Sequence, residues 1–156
     1  MLNRKLAKEL YNPSDILAPS NYTQDYCFAI AMFACPLIWM EMTGLDKEDL
    51  SAISKIAKIH KKIKKDMAHL VVTPIGEEPD GLTFSGFTAL DENGKGYALL
   101  FRDCTNKSTH TFKKVLPKDA ALEYMYSNFD AVAENVGGDI RFKANEQRSF
   151  VLVRVK

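Results

Sequence analysis

Three histidines, three cysteines and a scatter of carboxylates are the side chains from which this chain could build a reactive site. His60, His69 and His110 stand at no metal-ligand spacing, and no Cys-x-x-Cys pair joins them, so a metal site is not expected. Cys27 and Cys35 lie in an apolar stretch expected as helix, where thiols are inert. A cysteine nucleophile would also need a base and an orienting group. Eight positions apart on a helix, the two are separated by about 12 Å of rise, beyond the roughly 7 Å that a disulfide spans. With Cys104 they are expected as reduced thiols in a cytoplasmic protein. Glu77, Glu78 and Asp80 share one turn, and Asp91 and Glu92 another. Glycoside cleavage needs two carboxylates about 5–9.5 Å apart, one of them held protonated. Acids in turns are solvated, so no catalytic residue is assigned in this chain. Neither a Walker loop nor a GxGxxG glycine pattern occurs, and no cofactor is expected.

Charge adds one feature. The net charge is +1, which implies no general attraction to nucleic acid or acidic membranes. Locally, IAKIHKKIKK concentrates lysines that could follow a phosphate backbone. Isoleucines at core spacing within it make a solvated helix face the expected outcome, and a nucleic-acid partner is not expected. Trp39, Tyr22 and Tyr26 could stack on sugar rings, yet aromatic side chains in an apolar helix belong in a core.

The elements that must position these residues follow from periodicity. The N-terminal MLNRKLAKELYNPSD has no signal-peptide core. The apolar run Tyr26 to Met40 has 15 residues, against about 20 for a membrane span, and Pro36 interrupts it. A helix is expected from Asn21 or Thr23 to about Phe33, then a second stretch from Pro36 closed by Thr43-Gly44. Asp46 opens the next helix, with Leu50, Ile53, Ile56, Ile59 or His60, Ile63 and Met67 as its buried stripe. After Ala68 the period falls to two. Strands are expected over 69–74, 82–90, 97–103, 109–116, 121–128, 140–144 and 148–156, with an irregularity at Gly86 and a hairpin at Asn93-Gly94. Residues 129–139 read as a loop ending in Gly137-Gly138. The fold class is therefore α+β: two N-terminal helices followed by a C-terminal antiparallel β-sandwich of about seven strands. The division is 1–67 helical and 68–156 sandwich.

The segment 24–42 is apolar on every face, as a helix inside a large protein would be. Left exposed, it would mark an interaction surface, such as a homodimer contact through 24–42.

The stretch 21–45, with Tyr26, Phe28, Ala34, Pro36, Trp39, Glu41 and Leu45, resembles the last helical part of the catalytic barrel of α-galactosidase-like retaining glycoside hydrolases. The stretch 72–103 is similar to the start of their C-terminal β-sandwich. It carries Pro74-Ile75-Gly76, Pro79, Gly81, Ser85-Gly86-Phe87, Gly96-Tyr97 and Phe101-Arg102. The family's catalytic aspartates lie on earlier barrel strands, and no position here matches them. The resemblance implies a non-catalytic C-terminal fragment, residues 1–67 closing a barrel and the sandwich packing on an upstream catalytic barrel of the same polypeptide. A stand-alone carbohydrate-binding module is the alternative. It needs an exposed aromatic platform, for which Tyr97, Tyr124 and Tyr126 are available. An interaction or nucleic-acid-binding protein using the lysine-rich helix is the second alternative. Trp39 and Tyr97 are the residues nominated for carbohydrate contact.

Overall fold

A computed structural model of the chain describes residues 10–12, 14–38 and 42–156. Two compact units divide at Lys62/Ile63, inside the second helix and a few residues before the boundary expected at 67/68. The order is a short 3-10 turn at Pro19–Asn21, helix α1 (Gln24–Ile30), helix α2 (Lys47–Met67) and eight strands.

Helix α1 is shorter than the apolar run suggested. It ends at Ile30, and residues 31–34 close as tight turns, with Met32 N–H bonded to Ala29 O at 3.0 Å and Ala34 N–H to Ala31 O at 3.0 Å. Pro36 has no N–H for the Met32 carbonyl, and its ring would strike it, so one helix cannot run through. The expected second stretch is absent at 36–38 and 42–44; residues 39–41, with Trp39, lie outside the described residues. Apolarity here forecast neither a continuous helix nor complete burial, since Ile30, Cys35 and Leu37 of the run are exposed. Tyr26, Phe28, Ala29 and Met32 are buried, with Phe28 edge-on to His60 at 5.6 Å.

Helix α2 matches its pattern closely. Ile53, Ile56 and Ile63 are buried and His60 is half-buried, while Lys55, Lys58, Lys61, Lys62, Lys64 and Lys65 are exposed. Leu50 departs from the expected stripe and is exposed. The Asp46 carboxylate accepts the Asp49 N–H at 2.8 Å, a side-chain cap for an otherwise orphaned donor. Replacing Asp46 with Ala should cost about 1 kcal/mol in urea unfolding, and Asp46→Asn much less, because asparagine keeps the acceptor.

The sandwich consists of a five-stranded sheet in the order β1-β2-β3-β8-β5 and a three-stranded sheet in the order β4-β7-β6. The strands are β1 Val71–Gly76, β2 Phe84–Leu90, β3 Gly96–Arg102, β4 Thr109–Phe112, β5 Leu122–Ser127, β6 Ala131–Val136, β7 Asp139–Ala144 and β8 Ser149–Val155. All pairings are antiparallel. The inner faces meet in one core. Phe84, Ala98, Leu100, Val151 and Val153 come from the larger sheet, and Phe112, Ile140 and Phe142 from the smaller. Central strands β3 and β8 are buried on both faces, since Leu99, Phe101, Phe150 and Leu152 on the outward side are inaccessible too.

Strand β6 corrects the loop expected at 129–139. Ala131 and Ala133 turn inward while Val132, Glu134 and Val136 stay exposed, and Gly137-Gly138 forms the two-residue turn to β7. Both glycines have positive φ, +64° and +96°, as a tight hairpin of matching twist requires. The irregularity expected at Gly86 is not there. Gly86 pairs in register on both sides, and an added Cβ would lie 2.7 Å from the Leu99 carbonyl oxygen. That position needs glycine for close strand approach. The register shift occurs instead in β5, between Tyr124 and Tyr126.

Polar side chains, buried at Arg102 and half-buried at Asn135 and Asn128, stitch the loops to this frame. Arg102 donates to the carbonyls of Ala144 and Asn145 at 2.8 Å and of Thr105 at 3.0 Å. The Asn135 amide donates to Pro117 O and Ala120 O and accepts the Gly138 N–H. Asn128 donates to Arg148 O and accepts the Phe150 N–H.

His110 on β4 stacks on Phe84 at 5.1 Å and meets Phe112 edge-on at 4.7 Å. Burial lowers its pKa below the ordinary value; the Glu77 charge opposes this and the Lys107 charge adds to it. The unfolded chain therefore takes up this proton at higher pH than the folded one. Stability from His110 is complete above its unfolded pKa of about 6.5 and declines as pH falls from there toward the folded value. Thermal melts across about pH 5–7.5 should show a shallower acid-side loss for His110→Phe than for the parent chain.

Candidate functional site

Tyr97, the second residue of β3, faces outward, because Ala98 and Leu100 take the inner positions. Antiparallel register places Arg154 of β8 directly opposite it, the arrangement in which cross-strand side chains meet. The guanidinium carbon lies 5.5 Å from the centre of the Tyr97 ring. Arg154 Nη2 donates to the Tyr97 hydroxyl at 2.9 Å, and that hydroxyl donates to Asp66 Oδ2 at 2.5 Å. Asp66, in the last turn of α2, stands 3.8 Å from Arg154. Burial, then the Asp66 hydrogen bond, raises the Tyr97 pKa above the usual phenol value, although Arg154 pulls the other way. Tyr97 therefore keeps its proton and serves as a fixed hydrogen-bonding post, not as a base. Its hydrogen bond also holds Arg154 more firmly charged.

These three groups line an open cleft of about 470 Å3. The β2–β3 turn adds Asp91 and Lys95. Asp91 Oδ1 accepts the N–H groups of Asn93 and Lys95, both at 2.9 Å, which fixes the turn and one carboxylate oxygen. Lys156 completes the polar lining and pairs with Glu123 at 2.8 Å; its hydrogen bond holds the Glu123 carboxyl below the usual range.

Of the two residues nominated for carbohydrate contact, Trp39 lies outside the described residues. Tyr97 has only 2% of its surface exposed, so its ring offers no stacking face, although the residue lines the cleft. The aromatic platform does not assemble from the tyrosines. The β5 irregularity sets Tyr124 opposite Val153 and Tyr126 opposite Leu152, on opposite faces of the sheet. Tyr124 is exposed and Tyr126 packs on Phe150 at 5.8 Å.

Cys27 and Cys104 are half-buried and Cys35 is exposed, off the apolar helix expected to hold it. Among the described residues, no group of three or more His, Cys, Asp or Glu could hold a metal ion, and no helix is long and apolar enough to cross a membrane. Sequence reasoning missed Asp66, Lys95 and Arg154 as cleft residues. Only strand register, which no local spacing encodes, puts position 154 beside 97. No protein-family model, curated protein or solved structure matches the chain.

Proposed function

We propose that this chain is the non-catalytic C-terminal part of an α-galactosidase-like glycoside hydrolase, its sandwich packing on and stabilising the catalytic barrel. The resemblance of 21–45 and 72–103 supplies the family. The observation that carries the reading is the apolar surface of the helical unit: Ile16, Leu17, Ile30, Leu37, Met42 and Leu50 are all exposed. Single exposed apolar residues are ordinary, but a short helical unit presenting six fits an element that packs on a larger body.

An antibody raised to this chain tests the reading in lysate of the source organism. A band several-fold above 17.6 kDa is expected; a band at that mass overturns it. The purified chain should not turn over an aryl α-galactoside. Turnover abolished by replacing one of its own acids would equally overturn the assignment.

A further inference from the structure

The cleft at Tyr97 has the makings of a ligand site. At about 470 Å3 it falls within the roughly 300–1,000 Å3 of small-molecule pockets. Its charges nearly cancel, with Lys95, Arg154 and Lys156 facing Asp66 and Asp91, and with Glu123 held by Lys156. Such a lining has little net field to draw an ion. It offers donors beside acceptors instead. Asp66 is committed through Oδ2 and Asp91 through Oδ1, which leaves one oxygen of each carboxylate without a hydrogen bond among the described residues. The Lys95 amine makes no ion pair among them, and Arg154 uses only Nη2. Leu70 adds apolar wall beside these groups.

Vicinal hydroxyls satisfy both sets at once. Each donates to a carboxylate oxygen while accepting from an ammonium or guanidinium N–H, and the C–H face of the ring lies against the apolar wall. We propose that this cleft binds a neutral polyhydroxylated ring, a saccharide, with Asp66 and Asp91 accepting from its hydroxyls and Lys95 and Arg154 donating to them. The Tyr97 hydroxyl is a positioning group: it aligns Asp66 and Arg154. The site stands independently of any upstream barrel, so its failure and the failure of the family reading are separate results.

The test is a titration of the full 15N-labelled chain with methyl α-D-galactopyranoside and methyl α-D-glucopyranoside, followed by amide shifts. Sodium phosphate and sodium acetate at matched ionic strength run in parallel. Saturable shifts confined to Gly96, Tyr97, Arg154 and their neighbours are expected with at least one glycoside, at millimolar affinity, and not with the salts. Lys95→Ala removes one donor from a turn held by backbone and Asp91 contacts. It should weaken binding about three- to tenfold with an unchanged amide spectrum elsewhere. Arg154→Lys, which keeps the charge and loses the planar fork, should weaken it as well. No saturable shift with either glycoside overturns the proposal. So do equal shifts with phosphate or acetate, which would make this an anion site, and affinity unchanged in both variants.

Discussion

Phe142→Ala should destabilise the sandwich by about 3–5 kcal/mol, read as a lowered urea midpoint with an unchanged slope. Phe142 occupies the middle of β7, the central strand of the smaller sheet, and has no exposed surface. It faces Ala133 of β6 and His110 of β4 across the ladder, and its ring meets Phe84 of the opposite sheet edge-on at 6.0 Å. Truncation removes buried carbon and leaves a hole bounded by two sheets, whose hydrogen-bonded ladders cannot collapse into it. Phe142→Leu keeps most of that carbon and should lose well under half as much. Equal losses for the two variants would mean that the ring contributes through geometry rather than volume.

Arg102→Met should cost about 3 kcal/mol. One guanidinium serves three carbonyls, those of Thr105, Ala144 and Asn145, and the residue is 5% exposed. Methionine fills the space and removes this donor from the Ala144 and Asn145 carbonyls, while Thr105 O keeps the Gln147 amide at 3.2 Å. The loops after β3 and β7 then lose their common anchor. Arg102→Lys restores the charge but lacks the planar fork, so it should recover only part of the stability. Full recovery by lysine would show that charge alone matters here. Desolvation already lowers the Arg102 pKa from its ordinary value, with the Glu146 charge opposing it.

Local chemistry carried most of the fold into view. The α2 stripe is visible because isoleucines recur at helical spacing, and the β2–β3 hairpin because Asn93-Gly94 suits a turn in which Gly94 adopts φ +74°. Strand β6 escaped notice because AVAENV contains alanine, glutamate and asparagine, which favour strands weakly. Its inward residues are only two small alanines and Asn135, whose amide binds the 117–120 loop. Helix α1 was overdrawn because an apolar run without polar interruption has no period by which its end can be located. The cleft was invisible for a different reason. Asp66, Tyr97 and Arg154 are 31 and 57 positions apart in the chain, and only register joins them.

The place of β8 governs how the sheet is assembled. Of the eight strands among the described residues it is the latest in the chain, yet it lies between β3 and β5 and is, among those residues, the only strand paired with β5. During synthesis β3 waits with one bare edge for the intervening segments to be made, and β5 has no neighbour in its own sheet at all. A ribosome stalled after Ser127 and before Ser149 therefore holds a chain in which β3 has a bare edge and β5 is wholly unpaired, a template for pairing between nascent chains.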